Sequence, residues 1–133
     1  MTVAERNANK RERLTSELLK VKAEGLRVFI NTPDEHNYFN YGLITDGKNI
    51  IGINFAEYGS GFTTTFDYVP TKNCGSGCAT LENGYQYTEL SKEVFEEAVE
   101  DGKRFAMKLG AIFYRDIDHF FNDEWHKKAY VEL

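Results

Sequence analysis

Alternation of apolar and polar positions is clearest between Tyr38 and Val69, where three β-type runs follow one another with turn residues between them. In the third run Phe62, Thr64, Phe66 and Tyr68 point one way and Thr63, Thr65 and Asp67 the other, the pattern of a half-buried antiparallel strand. Between the first two runs, Asp46-Gly47 predicts a hairpin closed by the three-residue loop Thr45-Asp46-Gly47, with Gly47 in the left-handed region. That loop pairs Tyr41 with Ile51 and Phe39 with Ile53, and gathers Phe39, Tyr41, Leu43, Ile51, Ile53 and Phe55 on one face. A two-residue loop would mix polar and apolar residues on both faces, so a sheet with one buried face favours the longer loop. A second turn is expected over Glu57–Gly61.

Outside the meander the period changes. From Thr2 to Glu24 the sequence predicts a helix with Leu14, Leu18 and Val21 at spacings of four and three, ended by Gly25. Its first half, Glu5 to Arg13, is almost all polar and holds Arg6, Lys10, Arg11 and Arg13. It reads as an arm toward a partner or, more simply, as a solvated and fraying helix end. Leu26–Asn31 reads as a strand, with Leu26, Val28 and Ile30 alternating against Arg27 and Phe29, and Thr32-Pro33-Asp34-Glu35 as a turn. After a loop from Pro70 to Gly84, Tyr85–Thr88 is a candidate short strand. Ser91 is a good N-cap for a helix reaching about Leu109, with Val94, Ala98, Phe105 and Leu109 as its core stripe, Val99 and Ala106 beside them, and Gly110 as its stop. Ala111–Tyr114 is a short apolar segment, Asp116–Lys128 reads as a last helix, and Tyr130–Leu133 as a tail or an edge strand.

These elements predict a single α+β domain over residues 1–133. Its sheet is a mainly antiparallel meander of four to five strands, covered by an N-terminal helix and C-terminal helices. The N-terminal helix and the Ser91–Leu109 helix are expected on the face that carries Phe39, Tyr41, Ile51 and Ile53.

Composition narrows the class. A length of 133 residues, 41% hydrophobic with ten Phe and eight Tyr, suffices for one core without staples. The net charge of −5 disfavours direct nucleic-acid binding and suits a basic or nucleic-acid-binding protein partner. No apolar run suggests a signal peptide or a membrane span, and two cysteines are too few for a secreted disulfide framework, so a cytoplasmic protein is expected.

Candidate chemistry is sparse. Cys74-Gly75-Ser76-Gly77-Cys78 has the flexibility of an anion-binding nest, but it lacks the Lys-Ser or Lys-Thr of a phosphate loop and the further ligands of a zinc site. A structural loop is the simpler reading, with redox pairing of the thiols as an alternative. On a continuous last helix, Asp116, His119, Asp123 and His126 would share one face, and Ile117, Phe120, Phe121 and Trp125 another. His119 and His126 would stand about two turns, roughly 10 Å, apart, too far to ligate one ion together, which leaves His119 with Asp123 as the close pair. A solvated polar face is the preferred reading. The chain has no Gly-x-Ser-x-Gly elbow, no HExxH and no dinucleotide fingerprint, so no catalytic residue, metal or cofactor is assigned.

The run Tyr41-Gly42-Leu43-Ile44-Thr45-Asp46-Gly47-Lys48-Asn49-Ile50-Ile51-Gly52, followed by Phe62-Thr63-Thr64-Thr65 and the Gly-Ser-Gly loop, resembles small uncharacterised accessory proteins of bacteriophages and plasmids. The resemblance covers about half the chain and brings no catalytic motif. It implies a class of role, stoichiometric binding that counters host defence, as anti-CRISPR and antirestriction proteins do, in the host cytoplasm. The expected function is therefore a non-catalytic, monomeric or homodimeric protein-binding module with an acidic contact surface. Candidate contacts are Glu93, Glu96, Glu97, Glu100 and Asp101 on one helix, Asp116, Asp118, Asp123 and Glu124 on the last, and Tyr58 at a turn. The alternative is a small enzyme or metal-dependent protein using His119 and Asp123 or the Cys74–Cys78 loop.

Overall fold

In the computed structural model, which describes residues 2–32, 41–58, 61–68, 86–87, 90–108 and 114–133, the Leu14, Leu18 and Val21 stripe forms one face of helix α1 (Val3–Ala23), and all three are fully buried. Thr2 caps the helix by accepting the Glu5 N–H at 3.2 Å. At the other end Gly25 takes φ +103°, and the Gly25 and Leu26 amides return to the Lys22 and Val21 carbonyls. That is a Schellman motif, and Leu26 completes it by packing in the same apolar cluster as Val21. In the first half of α1, Glu5, Ala8, Asn9, Glu12 and Arg13 are exposed, but this half is tied down. Arg11 is half-buried and its Nη1 lies 3.5 Å from Asn31 Oδ1 in the sheet.

The strands are β1 (Arg27–Asn31), β2 (Tyr41–Thr45), β3 (Ile50–Tyr58), β4 (Gly61–Tyr68), β5 (Gln86–Tyr87) and β6 (Tyr130–Glu132), in the order β5-β4-β3-β2-β1-β6 with every described neighbour antiparallel. This is the expected α+β meander, widened to six strands because both the Tyr85–Thr88 region and the carboxyl-terminal segment pair at its edges. Helix α2 (Lys92–Lys108) follows, begun by Ser91, whose Oγ accepts the Val94 N–H at 3.1 Å. Phe95, one position off the expected stripe, is buried beside Ala98 and Val99. The Cys74–Cys78 loop, Phe39, the Pro33 turn and the Gly110 stop lie outside the described residues, as do the side chains of Tyr58, Phe55, Phe105 and the β4 residues.

The hairpin register differs from the expected one. Tyr41 lies opposite Asn54, Leu43 opposite Gly52 and Ile44 opposite Ile51, a shift of three positions. The loop has four residues, Asp46 to Asn49, and is organised by the Asp46 carboxylate. Its Oδ1 accepts the Lys48 and Asn49 amides at 2.9 and 2.7 Å, and its Oδ2 accepts the Asn49 side-chain amide at 3.1 Å. Burial pushes this carboxyl up, but the hydrogen bonds from Asn49 and Lys48 outweigh it and hold Asp46 below the ordinary carboxylate value. Gly47 does take the left-handed conformation, at φ +100°. An odd shift exchanges the faces of one strand relative to the other, so Tyr41 and Leu43 lie on the face opposite Ile51 and Ile53. The pattern argument chose the other register because it assumed a single buried face, and this sheet buries both.

On the first face Val28, Ile30, Ile44, Ile51 and Ile53 pack against Leu14, Leu18 and Val21 of α1 and Phe95, Ala98 and Val99 of α2. Gly42 lets α1 approach: a Cβ there would stand 2.7 Å from the Phe29 carbonyl oxygen and 3.0 Å from Leu18 Cδ1. On the second face Phe29, Leu43 and Ile50 pack against Ile117 and Phe120. These two belong to the short helix α3 (Ile117–Phe120), which is followed by α4 (Glu124–Ala129). The Ile117 amide donates to the Gly47 carbonyl at 2.9 Å and ties this cover to the hairpin loop.

Candidate functional site

Glu93, Glu96, Glu97 and Glu100 stand at spacings of three, four and seven along α2, all exposed, on the side away from Phe95, Ala98 and Val99. The helix dipole accounts for an acidic residue in the first turn, where Glu93 sits, but its influence fades within that turn and leaves Glu96, Glu97 and Glu100 unexplained. Like charges at these spacings repel by roughly 0.2–0.5 kcal/mol per pair at low salt, and Lys92, Lys103 and Arg104, three or four positions from Glu96 and Glu100, offset part of that repulsion. Several other carboxylates, though not those of Glu5, Glu12 or Asp118, are used internally among the described residues. Glu17 pairs with Lys20, Glu124 with Lys127 and Glu132 with Arg27, Glu24 accepts the Lys92 amide, and Asp116 and Asp123 cap helices. None of the four stripe carboxylates has an ion pair or hydrogen bond among the described residues. Asp101, next along the helix, turns inward, and its Oδ2 is buried without a hydrogen-bond partner there.

The last-helix constellation is rearranged. One helix was expected over Asp116–Lys128, but the chain breaks at Phe121–Asp123 into α3 and α4. Asp123 is extended (φ −76°, ψ 122°), and its carboxylate accepts the Trp125 N–H at 2.8 Å, so a residue read as part of a polar face starts a new helix. Asp116 does the same for α3, accepting the His119 N–H at 2.8 Å. His119 Nδ1 accepts the Arg115 N–H at 3.1 Å. His126 Nδ1 donates to the Phe120 carbonyl at 2.7 Å, while its ring stacks on Phe120 at 3.9 Å and 6°. The two histidines and two aspartates thus hold the backbone of this segment and do not form one polar face. The break also leaves Trp125, expected on the apolar face, 66% exposed. Among the described residues no group of three or more His, Cys, Asp and Glu is placed to hold a metal ion.

The two acidic sets expected to form one contact surface are separated. Glu93 to Asp101 lie on α2 over the first face, and Asp116, Asp118, Asp123 and Glu124 lie on the segment over the second. Asp118 and Glu124 are exposed, and Tyr58 ends β3 opposite Gly61. Aromatic packing around the second cover was not foreseen. Tyr114 meets His119, Phe120 and His126 edge to face, and Tyr130 meets Tyr41 in the same way at 5.6 Å. Burial, with the neighbouring Tyr41 adding to it, pushes the Tyr130 hydroxyl far up, so it stays protonated across the physiological range. The signal available in the sequence was the density of aromatic residues from Phe113 to Tyr130, which exceeds what one amphipathic helix needs.

Among the described residues no helix is long and apolar enough to cross a membrane. The chain matches no protein-family model, and comparison with curated proteins and with solved structures found no match.

Proposed function

We propose that the chain is a non-catalytic protein-binding module that acts by stoichiometric contact through the acidic face of α2. Its partner is a basic protein surface, such as one that itself binds nucleic acid. The carrying observation is the stripe of Glu93, Glu96, Glu97 and Glu100, exposed and without internal partners among the described residues. Charge gathered on one exposed face that serves no described internal contact fits a role in recognition, where it raises the rate of encounter and selects against wrong partners. The resemblance to phage and plasmid accessory proteins supplies the kind of role, blocking a host defence factor in the host cytoplasm. The α3–α4 carboxylates fit the reading less well, because Asp116, Asp123 and Glu124 are engaged locally.

The test is capture of host proteins by the wild-type chain and by a variant with Glu93, Glu96, Glu97 and Glu100 all changed to Lys, with circular dichroism as the control for folding. The reading expects a captured protein of basic charge, lost from the variant and weakened by salt, while the variant stays folded. Equal capture by both chains would sink it.

A further inference from the structure

The start of α3 has the form of a capping box with an unusual member. In the common form a Ser or Thr at the N-cap accepts the N3 amide, and a Glu or Gln at N3 reaches back to the N-cap residue's own amide; at α3 the return goes one residue further, to the amide before the N-cap. Here Asp116 accepts the His119 N–H at 2.8 Å, and the returning acceptor is the imidazole of His119, whose Nδ1 takes the Arg115 N–H at 3.1 Å. A backbone amide can only donate, so Nδ1 must carry a lone pair, and the ring proton of neutral His119 sits on Nε2. Protonation puts an N–H where the acceptor was and sets donor against donor. His126 behaves differently. Its Nδ1 donates to the Phe120 carbonyl at 2.7 Å, a bond that survives in either charge state.

The box stands at the entry to the cover on the second face. Directly after it come Ile117 and Phe120, which fill the cluster with Phe29, Leu43 and Ile50. A helix of four residues has too few internal hydrogen bonds to hold itself, so its caps weigh heavily. Tyr114 meets the His119 ring edge to face at 5.4 Å. Among the described residues, the charged and titratable groups on this segment and the elements packed with it are Tyr114, Arg115, Asp116, Asp118, Asp123, Glu124, His126, Lys127 and Lys128, with Asp46 and Lys48 beside the Gly47 carbonyl, and Arg27, Tyr41, Tyr130 and Glu132 on the sheet.

We propose that His119 is an acid-sensitive latch: neutral, it closes the capping box of α3, and protonated, it releases the Arg115 amide and loosens the cover over the second face of the sheet. The test reads amide hydrogen exchange at Arg115, corrected for the intrinsic pH dependence of exchange, at pH 7.5 and pH 5. In the wild type, protection is expected to fall about tenfold or more on acidification. In His119→Gln, whose side-chain oxygen accepts at every pH, it should stay level, whereas His126→Gln, which loses the stack on Phe120 and starts from lower protection, should still show the fall on acidification. Nitrogen-15 shifts of the wild-type imidazole provide a reading that needs no variant, and should show unprotonated Nδ1 with a proton on Nε2 at pH 7.5. A proton on Nδ1 at that pH, or an equal fall in protection in His119→Gln, overturns the proposal.

Discussion

The two faces of this sheet are covered by different physics. Over the first lie α1 and α2, helices of 21 and 17 residues whose apolar stripes meet Val28, Ile30, Ile44, Ile51 and Ile53. Over the second lie helices of four and six residues, held by the Asp116 and Asp123 caps and by rings packed on rings, Phe120 stacked on His126 and edge to face with Phe121. A long helix distributes its stability over many backbone bonds, whereas a segment this short persists only through caps and packing. The first cover therefore tolerates the loss of any one polar contact, and the second concentrates its stability in a few side chains.

The largest expected effect tests that concentration. Phe120 is 2% exposed, and within the second cover it meets Phe121, Tyr114, Tyr130 and His126. Phe120→Ala should cost about 3–5 kcal/mol, read from urea unfolding as a single cooperative transition. If the global midpoint stayed in place while exchange protection vanished only from residues 114–133, the second cover would be a separate unit, and the sheet would stand on its first face alone.

The next effect addresses the first face. Gly42 has no Cβ because the Phe29 carbonyl and Leu18 Cδ1 occupy its place, and the carbonyl belongs to backbone that cannot swing away. Gly42→Ala should destabilise by about 1–3 kcal/mol by pushing α1 off the sheet, and Leu18→Ala in the same chain should recover only part of the loss. A neutral Gly42→Ala would mean that α1 is seated more loosely than its buried stripe suggests.

This contrast also explains what could be read from the chain. Stripes such as Leu14, Leu18 and Val21 depend on spacing alone, so α1, α2 and the strand runs were legible, as were the Ser91 cap and the Gly25 stop. The hairpin register was not. It turned on how the Asp46 carboxylate gathers three donors, and on whether one face or two would be buried, which depends on residues more than 60 positions away. The α3–α4 break was hidden because an Asp on a helix surface and an Asp at an N-cap look alike until the backbone is seen. At the candidate surface, Glu93, Glu96, Glu97 and Glu100 are exposed while Asp101 turns inward, and their separation from the α3–α4 carboxylates follows from the two-sided sheet.

The smallest expected effect lies at the edge where the second cover rejoins the sheet. Arg27 Nε and Nη2 each donate to a Glu132 carboxylate oxygen at 2.9 Å, joining β1 to β6, and both side chains are nearly half exposed. The hydrogen bond from Arg27 holds the Glu132 carboxyl below its ordinary value, against the opposing effect of burial, and the same bond raises Arg27. Because the folded Glu132 titrates below the unfolded residue, its contribution is present above about pH 4.3 and is lost as pH falls through the folded value. Arg27 stays charged throughout and adds no acid dependence. A solvent-screened pair of this kind contributes about 0.5 kcal/mol, so Glu132→Gln should lower the urea midpoint slightly at pH 7 and not at pH 3. That window lies below the one proposed for His119, so acid should loosen the second face in two steps: release of the Arg115 amide first, then of the β6 edge. A Glu132→Gln deficit of the same size at pH 3 and pH 7 would mean that the pair acts through packing of its side-chain stems and not through charge, and the edge would then drop out of the acid response.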